Sequence, residues 1–267
     1  MSSMDKFNRS VGRAIEILEL LAHSPNELTI TEISKSLAIP KSTAFDIIYT
    51  LVNKGYLEVA DERLKSFRLG VKLFQVGSGY RDKKPFYDVA KSVLEKITAQ
   101  VNETSFLAIE SGGMLVYLDK AESESSVRTS CKLGSNRPMY CTGLGKALLS
   151  AYSDERLLDI VRRTGGMPPI TPTTITTEER LIEEMNQSRQ RGYAIDDREH
   201  NMDVFCVAAP IYDSRNAPLA AISVACLSSK MVGNPERVKE LGTLVSQAAL
   251  SISQRIGFTG DRLYNVR

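Results

Sequence analysis

Residues 28–70 constrain the fold more than any other stretch, because they combine a short helical period, a tight turn, a longer helical period and two short alternating runs. Thr29 and Glu32 have the spacing of a capping box, so a helix should begin near Ile30 and bury Ile33 and Leu37. Ile39-Pro40 marks its end. Pro40 suits the first position of the next helix, in which Ala44, Ile47, Ile48, Leu51 and Val52 share one face and Ser42, Asp46, Tyr49 and Asn53 the other. Gly55 stands where a C-terminal glycine would, and residues 56–60 and 67–69 alternate as strands around the polar turn Asp61-Glu62-Arg63. That order is a winged helix-turn-helix. Residues 10–22, with Val11, Ala14, Ile15, Leu18 and Leu21 at helical spacing, supply its first helix.

A helix-turn-helix puts the N-terminal half of its second helix into the DNA major groove, and Lys41, Ser42, Thr43 and Phe45 occupy that half. Asp46 and Tyr49 continue the outward face, Thr29 begins the preceding helix, and Lys65 and Arg68 sit on the wing, which lies near phosphates. These nine residues are the expected contacts to double-stranded DNA. The competing reading is a helical hairpin packed in a core with a solvated outer face.

Length and charge set limits on the rest. At 267 residues the chain has room for two domains. Its net charge is only +2, with 13 Lys and Arg against 10 Asp and Glu in residues 1–84, so nucleic-acid binding rests on where the basic residues stand and not on bulk charge. No apolar run reaches membrane-spanning length and the first ten residues are polar, which points to the cytoplasm and no membrane partner. The four cysteines, Cys131, Cys141, Cys206 and Cys226, lack CxxC spacing, and the two histidines, His23 and His200, are far apart, so no metal site and no cofactor are expected.

After the wing, residues 71–85 read as a linker helix whose Gly77-Ser78-Gly79 would let another helix approach closely, and residues 86–101 as the entry helix of a second domain over 86–260. Strands are expected at 105–109 and 115–120 around Ser111-Gly112-Gly113, at 127–133, at 206–212 and at 219–226. Helices are expected at 143–152 behind Thr142, from Ser153 through Arg163, from Thr177 to Arg191, and at 235–256. Residues 261–267 read as a tail. The class is α+β.

Several short strings, in order, resemble one family. PKST at 40–43, LVNKGYL at 51–57 and FRLG at 67–70 look like the DNA-binding domain of the IclR family of bacterial transcriptional regulators; YLDK at 117–120, GLGKALL at 143–149, GYAIDD at 192–197 and CVAAPI at 206–211 resemble its effector-binding domain. The resemblance implies an N-terminal winged helix-turn-helix joined by a linker helix to a GAF-like effector-binding domain. It further implies a dimer or dimer of dimers on a palindromic operator, acting as a repressor of a catabolic operon. It departs at Asp46, where the family often has a basic residue.

By its residues alone, GLGK at 143–146 is not a phosphate loop: Tyr140 stands where the motif needs glycine and Ala147 where it needs Ser or Thr. What remains is a loop entering a helix, where Thr142, Gly143 and Leu144 present backbone N–H groups to an anion; an ordinary capped helix is the plainer reading. The resemblance implies effector contacts at Gly143, Leu144, Asp196, Cys206 and Ser223, with a usual serine replaced by Ala225. Arg137 stands where some members have an apolar residue; it can pair a carboxylate bidentately or be a surface charge. The expected ligand is a small carboxylate, a keto acid or sugar acid, with an aromatic acid as rival. No GxSxG, HExxH or complete GxGxxG is present, and an enzyme is not expected. The alternative is a metabolite sensor or enzyme whose winged domain binds protein.

Overall fold

The structure is a computed structural model describing residues 8–82, 84 and 86–264. The chain divides into two units between Lys84 and Pro85. In the first, Asn8 accepts from the N–H groups of Ser10 and Val11 and so starts α1 (Arg9–His23). A two-residue strand β1 (Leu28–Thr29) leads into α2 (Ile30–Ser36), and α3 (Lys41–Asn53), β2 (Leu57–Asp61), β3 (Ser66–Leu69) and α4 (Lys72–Asp82) follow. The Thr29–Glu32 capping box forms as its spacing requires. The turn between α2 and α3 passes through Ala38 at φ 52°, and the Ser34 hydroxyl donates to the Ile39 carbonyl at 2.6 Å, closing it. Ile17, Ile33, Ala44, Ile48, Leu57 and Phe67 fill the core beneath.

Three expectations for this unit shift. Pro40 is the residue before α3 and not its first residue, because its ψ of 141° is extended. On α1, Val11 and Ile15 stay exposed and Ile17 takes the buried place. The strand β1, paired with β3 in the order β1-β3-β2, went unread because two residues are too short to show a period of two.

In the second unit α5 (Phe86–Val101) is followed by β4 (Thr104–Ser111), β5 (Met114–Ala121), β6 (Asn136–Pro138), α6 (Gly143–Ser150), α7 (Asp154–Arg163), α8 (Glu178–Arg191), β7 (Ala194–Asp197), β8 (Val204–Tyr212), β9 (Pro218–Leu227) and α9 (Pro235–Arg255). The sheet is antiparallel in the order β6-β5-β4-β9-β8-β7. Alternate residues of its strands serve two cores. Leu107, Val207, Ala209, Ile222 and Val224 pack with α5 and α9, while Phe106, Ala108, Ala208, Ala221 and Ala225 pack with α6, α7 and α8. The small residues on the second face let α6 lie close. A Cβ added to Gly143 would be 3.0 Å from the Cβ of Cys206, and one added to Gly145 would be 2.3 Å from the Met139 carbonyl oxygen.

Residues 127–133 do not form a strand. Val127 and Leu133 are 62% and 49% exposed, so the segment has no apolar face to bury, and it runs as a loop held by the Thr129 hydroxyl on the Ala225 carbonyl at 3.1 Å. The strand beside β5 is β6 instead, with Leu115 opposite Arg137. The apolar stripe of α9 lies on the sheet of its own unit, with Leu241, Val245, Ala249 and Ile252 fully buried. Residues 261–264, expected to begin a tail, fold back: Leu263 and Tyr264 are buried in the core, and the Tyr264 hydroxyl meets that of Ser150 at 2.9 Å. Residues 265–267, like Lys83 and Pro85 at the end of the expected linker, lie outside the described residues.

Candidate nucleic-acid interface and effector cavity

Both expected sites depend on helix starts. Pro40 offers no side chain to cap α3, so the first-turn N–H groups of that helix remain free beside the exposed Lys41 and Ser42. Thr43 is half-buried, Phe45 and Asp46 are exposed, and Asp46 brings a negative charge to this face. Tyr49 faces outward less than its spacing predicts. Its ring meets Phe67 edge-on at 5.9 Å and Phe45 at 4.4 Å, so it is half-buried between α3 and β3. Thr29 is occupied too, since its hydroxyl donates to Glu32 at 2.8 Å and accepts from the Glu32 N–H at 3.3 Å. On the wing Lys65 is exposed at φ 52° with no ion-pair partner among the described residues, and Arg68 is exposed and pairs with Glu58 at 3.3 Å.

In the second unit a cavity of about 340 Å³ opens at the start of α6. Arg137, Thr142, Gly143, Leu144, Asp196, Cys206 and Ser223 all line it, although they come from β6, the α6 start, β7, β8 and β9. The Thr142 hydroxyl caps α6 on the Gly145 N–H at 3.3 Å and donates to the Pro138 carbonyl at 3.0 Å, leaving the Gly143 and Leu144 N–H groups at the cavity. Sequence reasoning missed Phe106, Tyr117, Arg128 and His200, which also line it. Tyr117 had a signal, since at a spacing of two it shares a strand face with the buried Leu115; the 127–133 segment, mistaken for a strand, gave none for Arg128.

Beneath the cavity lies a buried charged network. Asp196 is 3% exposed, and burial pushes its carboxyl up to about 7 even though Lys146 and the Glu199 N–H draw it down; that N–H donates to Asp196 at 2.8 Å. Lys146, in the second turn of α6, is 1% exposed and pairs with Glu199, whose other oxygen has no hydrogen-bond partner among the described residues. Burial raises Glu199 as well. The hydroxyls of Thr171, Thr173 and Thr174 bind the Arg198 and Glu199 carbonyls at 2.6–2.9 Å, fixing the loop that carries His200. Burial, and then Arg137, lower the His200 imidazole, so it is neutral near pH 7. Burial likewise raises the Tyr117 hydroxyl and the Cys206 thiol and pushes the Cys131 thiol up to about 11, so none of these ionises at neutral pH. Among the described residues no group of three or more His, Cys, Asp or Glu is placed to hold a metal ion.

Residues 10–61 match the family model for the IclR helix-turn-helix domain, and residues 79–254 match that for the C-terminal domain of the bacterial transcriptional regulator IclR. The chain belongs to the IclR family. Among its IclR relatives, the acetate operon repressor of Salmonella typhimurium is 30% identical over 94% of this chain and 91% of its own length, and the HTH-type transcriptional repressor AllR of Escherichia coli K12 is 32% identical over 93% and 90%. The crystal structure of the Thermotoga maritima IclR superposes with a TM-score of 0.76 at 28% identity, covering 93% of this chain and 99% of that one. IclR membership makes the chain a DNA-binding transcriptional regulator and not an enzyme. Among the described residues no helix is long and apolar enough to cross a membrane.

Proposed function

We propose that this IclR regulator is a cytoplasmic repressor of a catabolic operon, bound to a palindromic operator as a dimer or dimer of dimers and controlled by a small keto acid or sugar acid. The observation that carries the reading is the convergence of seven expected effector residues on one cavity. Gly143 and Leu144 N–H groups receive the ligand carboxylate. Ser223 donates or accepts, and Asp196, able to hold a proton near neutral pH, either accepts from a ligand hydroxyl or donates to a keto oxygen. That property also softens the repulsion an ionised Asp196 would exert on an anion. The names of the two repressors support repression, and one of them names an operon for a small carboxylate, acetate.

DNA contact is assigned to Lys41, Ser42, Thr43, Phe45 and Asp46 in the groove, with Tyr49 supporting them, and to Thr29, Lys65 and Arg68 near phosphates. One winged domain reads a half-site, so a palindrome requires two. The exposed apolar residues of α4, Phe74 at 75% and Val76 at 55%, together with Val11 and Ile15 of α1, support self-association.

An electrophoretic shift with the DNA upstream of its own gene, titrated with keto, sugar and aromatic acids, tests the whole reading. A keto or sugar acid should change operator affinity, and Asp196→Ala should weaken a polyhydroxy acid by about 1–3 kcal/mol. The aromatic rival draws on the Phe106–Tyr117 pair, edge-to-face at 5.6 Å in the cavity wall. Tight binding of an aromatic acid alone, indifferent to Asp196→Ala, would sink the keto- or sugar-acid reading.

A further inference from the structure

The cavity offers two places for an acid group, the α6 start and the Arg137 guanidinium, and a ligand with one carboxylate fills only one of them at a time. On one side stand the free N–H groups of Gly143 and Leu144, over Cys206 of β8. On another stands Arg137, on the edge strand β6, which β5, β4 and β9 separate from β8. The Pro138 carbonyl, next to Arg137, accepts from the Thr142 hydroxyl at 3.0 Å, so the two donor groups border the same enclosed space.

Arg137 is the cation left without a counter-charge. Its Nη1 donates to the Asn136 carbonyl at 2.8 Å, and among the described residues it forms no ion pair. Arg128, the other arginine of the cavity, is already engaged with Glu122 at 3.8 Å and the Ser125 carbonyl at 3.3 Å. The acids in the wall do not answer Arg137 either. Asp203 lies at the exposed rim, and Asp196 sits on β7, bonded to the Glu199 N–H. His200 and Tyr117 face the same space uncharged, and Cys131 and Cys206 add only thiols. A guanidinium stays charged at every relevant pH and has five N–H donors, most of them here unspent, in a fork that fits a carboxylate. Room is not limiting, since a cavity of about 340 Å³ exceeds what a three-carbon acid fills.

We infer that the effector is a diacid, a keto or hydroxy acid with one carboxylate at the start of α6 and a second paired with Arg137. This rests on the reading of the cavity as the effector site and adds the ligand's charge and length to it. Arg137 is the residue that sets the preference, and Asp196 and Ser223 read the oxygens between the two acid groups.

Calorimetry on the full chain with matched pairs tests the inference: α-ketoglutarate against α-ketovalerate, and glucarate against gluconate, each pair differing in one terminal carboxylate. In at least one pair the diacid should bind about tenfold tighter or more, the range of a charge-assisted hydrogen bond. Arg137→Gln should bring that ratio close to one, and Arg137→Lys, a point charge without the fork, should keep part of it. Should Arg137→Gln fail to fold, the wild-type ratios and Arg137→Lys still decide. Equal binding of diacid and monoacid by the wild type, or a ratio untouched by Arg137→Gln, overturns the diacid inference and leaves the effector reading standing. If none of the four acids binds at millimolar concentration, the keto- or sugar-acid reading falls and the diacid with it.

Discussion

The two units of this regulator handle polar groups in opposite ways. In the winged unit the residues assigned to DNA sit in water: Lys41, Ser42 and Lys65 are exposed, and the Arg68–Glu58 pair is solvated. In the effector unit the residues that matter are buried, with Lys146, Asp196, Glu199 and Ser223 each under a tenth exposed. The difference fits the partners proposed for the two units. A DNA backbone is met at a surface and its attraction survives hydration and salt only in part, whereas a small acid must be enclosed to be told from its analogues. The winged unit should therefore tolerate loss of a charge with little effect on stability, and the effector unit should not.

The largest effect should come from breaking the buried network. Lys146→Met leaves the Glu199 carboxylate without its cation, and the effector unit should lose about 3–5 kcal/mol, seen as a lower denaturant midpoint. Next comes pH. Asp196 is raised by burial from 3.8 to about 7, so between those values the folded chain holds a proton that the unfolded chain has released. Stability from this group is full below pH 4 and is lost as pH rises through 7, on the order of 4 kcal/mol. Urea midpoints from pH 4 to 8 should fall less in Asp196→Asn than in the wild type, and parallel curves would show that another group titrates.

On the winged side, Ser42→Ala with Thr43→Ala should cost about 1–3 kcal/mol of discrimination for each hydrogen bond to a base that the substitutions remove, with an unchanged fold because Ala44 and Ile48 keep the core. If the double variant binds its operator as the parent does, the recognition face has been misplaced. Lys65→Ala should weaken all DNA sequences alike and reduce the salt slope by about one unit if it meets one phosphate. Arg68→Ala should be the smallest, less than about 1 kcal/mol of stability, because its pair with Glu58 is exposed. A larger loss there would end the contrast between the units.

Much of this was legible in the chain. Local rules fixed what local chemistry controls: the Thr29–Glu32 capping box, the Thr142, Ser153 and Thr177 helix starts, the α3 core face through Ala44 and Ile48, and the paired apolar strands β8 and β9. Each is set within a few residues, by one cap or one period. What failed was either too short, as with β1 and β6, or judged on composition alone, as with residues 127–133, whose exposed Val127 and Leu133 cannot hold a strand. Lys146 shows the limit best. In the sequence it is one lysine in a rejected phosphate motif; only folding sets it against Glu199, more than fifty residues on, and makes it a buried ion pair. The same holds for Arg137, which as a sequence position is equally a surface charge or a ligand contact. Its place in the cavity wall, with no ion-pair partner among the described residues, comes from the strand order, and strand order is set by which distant segments bury each other's apolar faces.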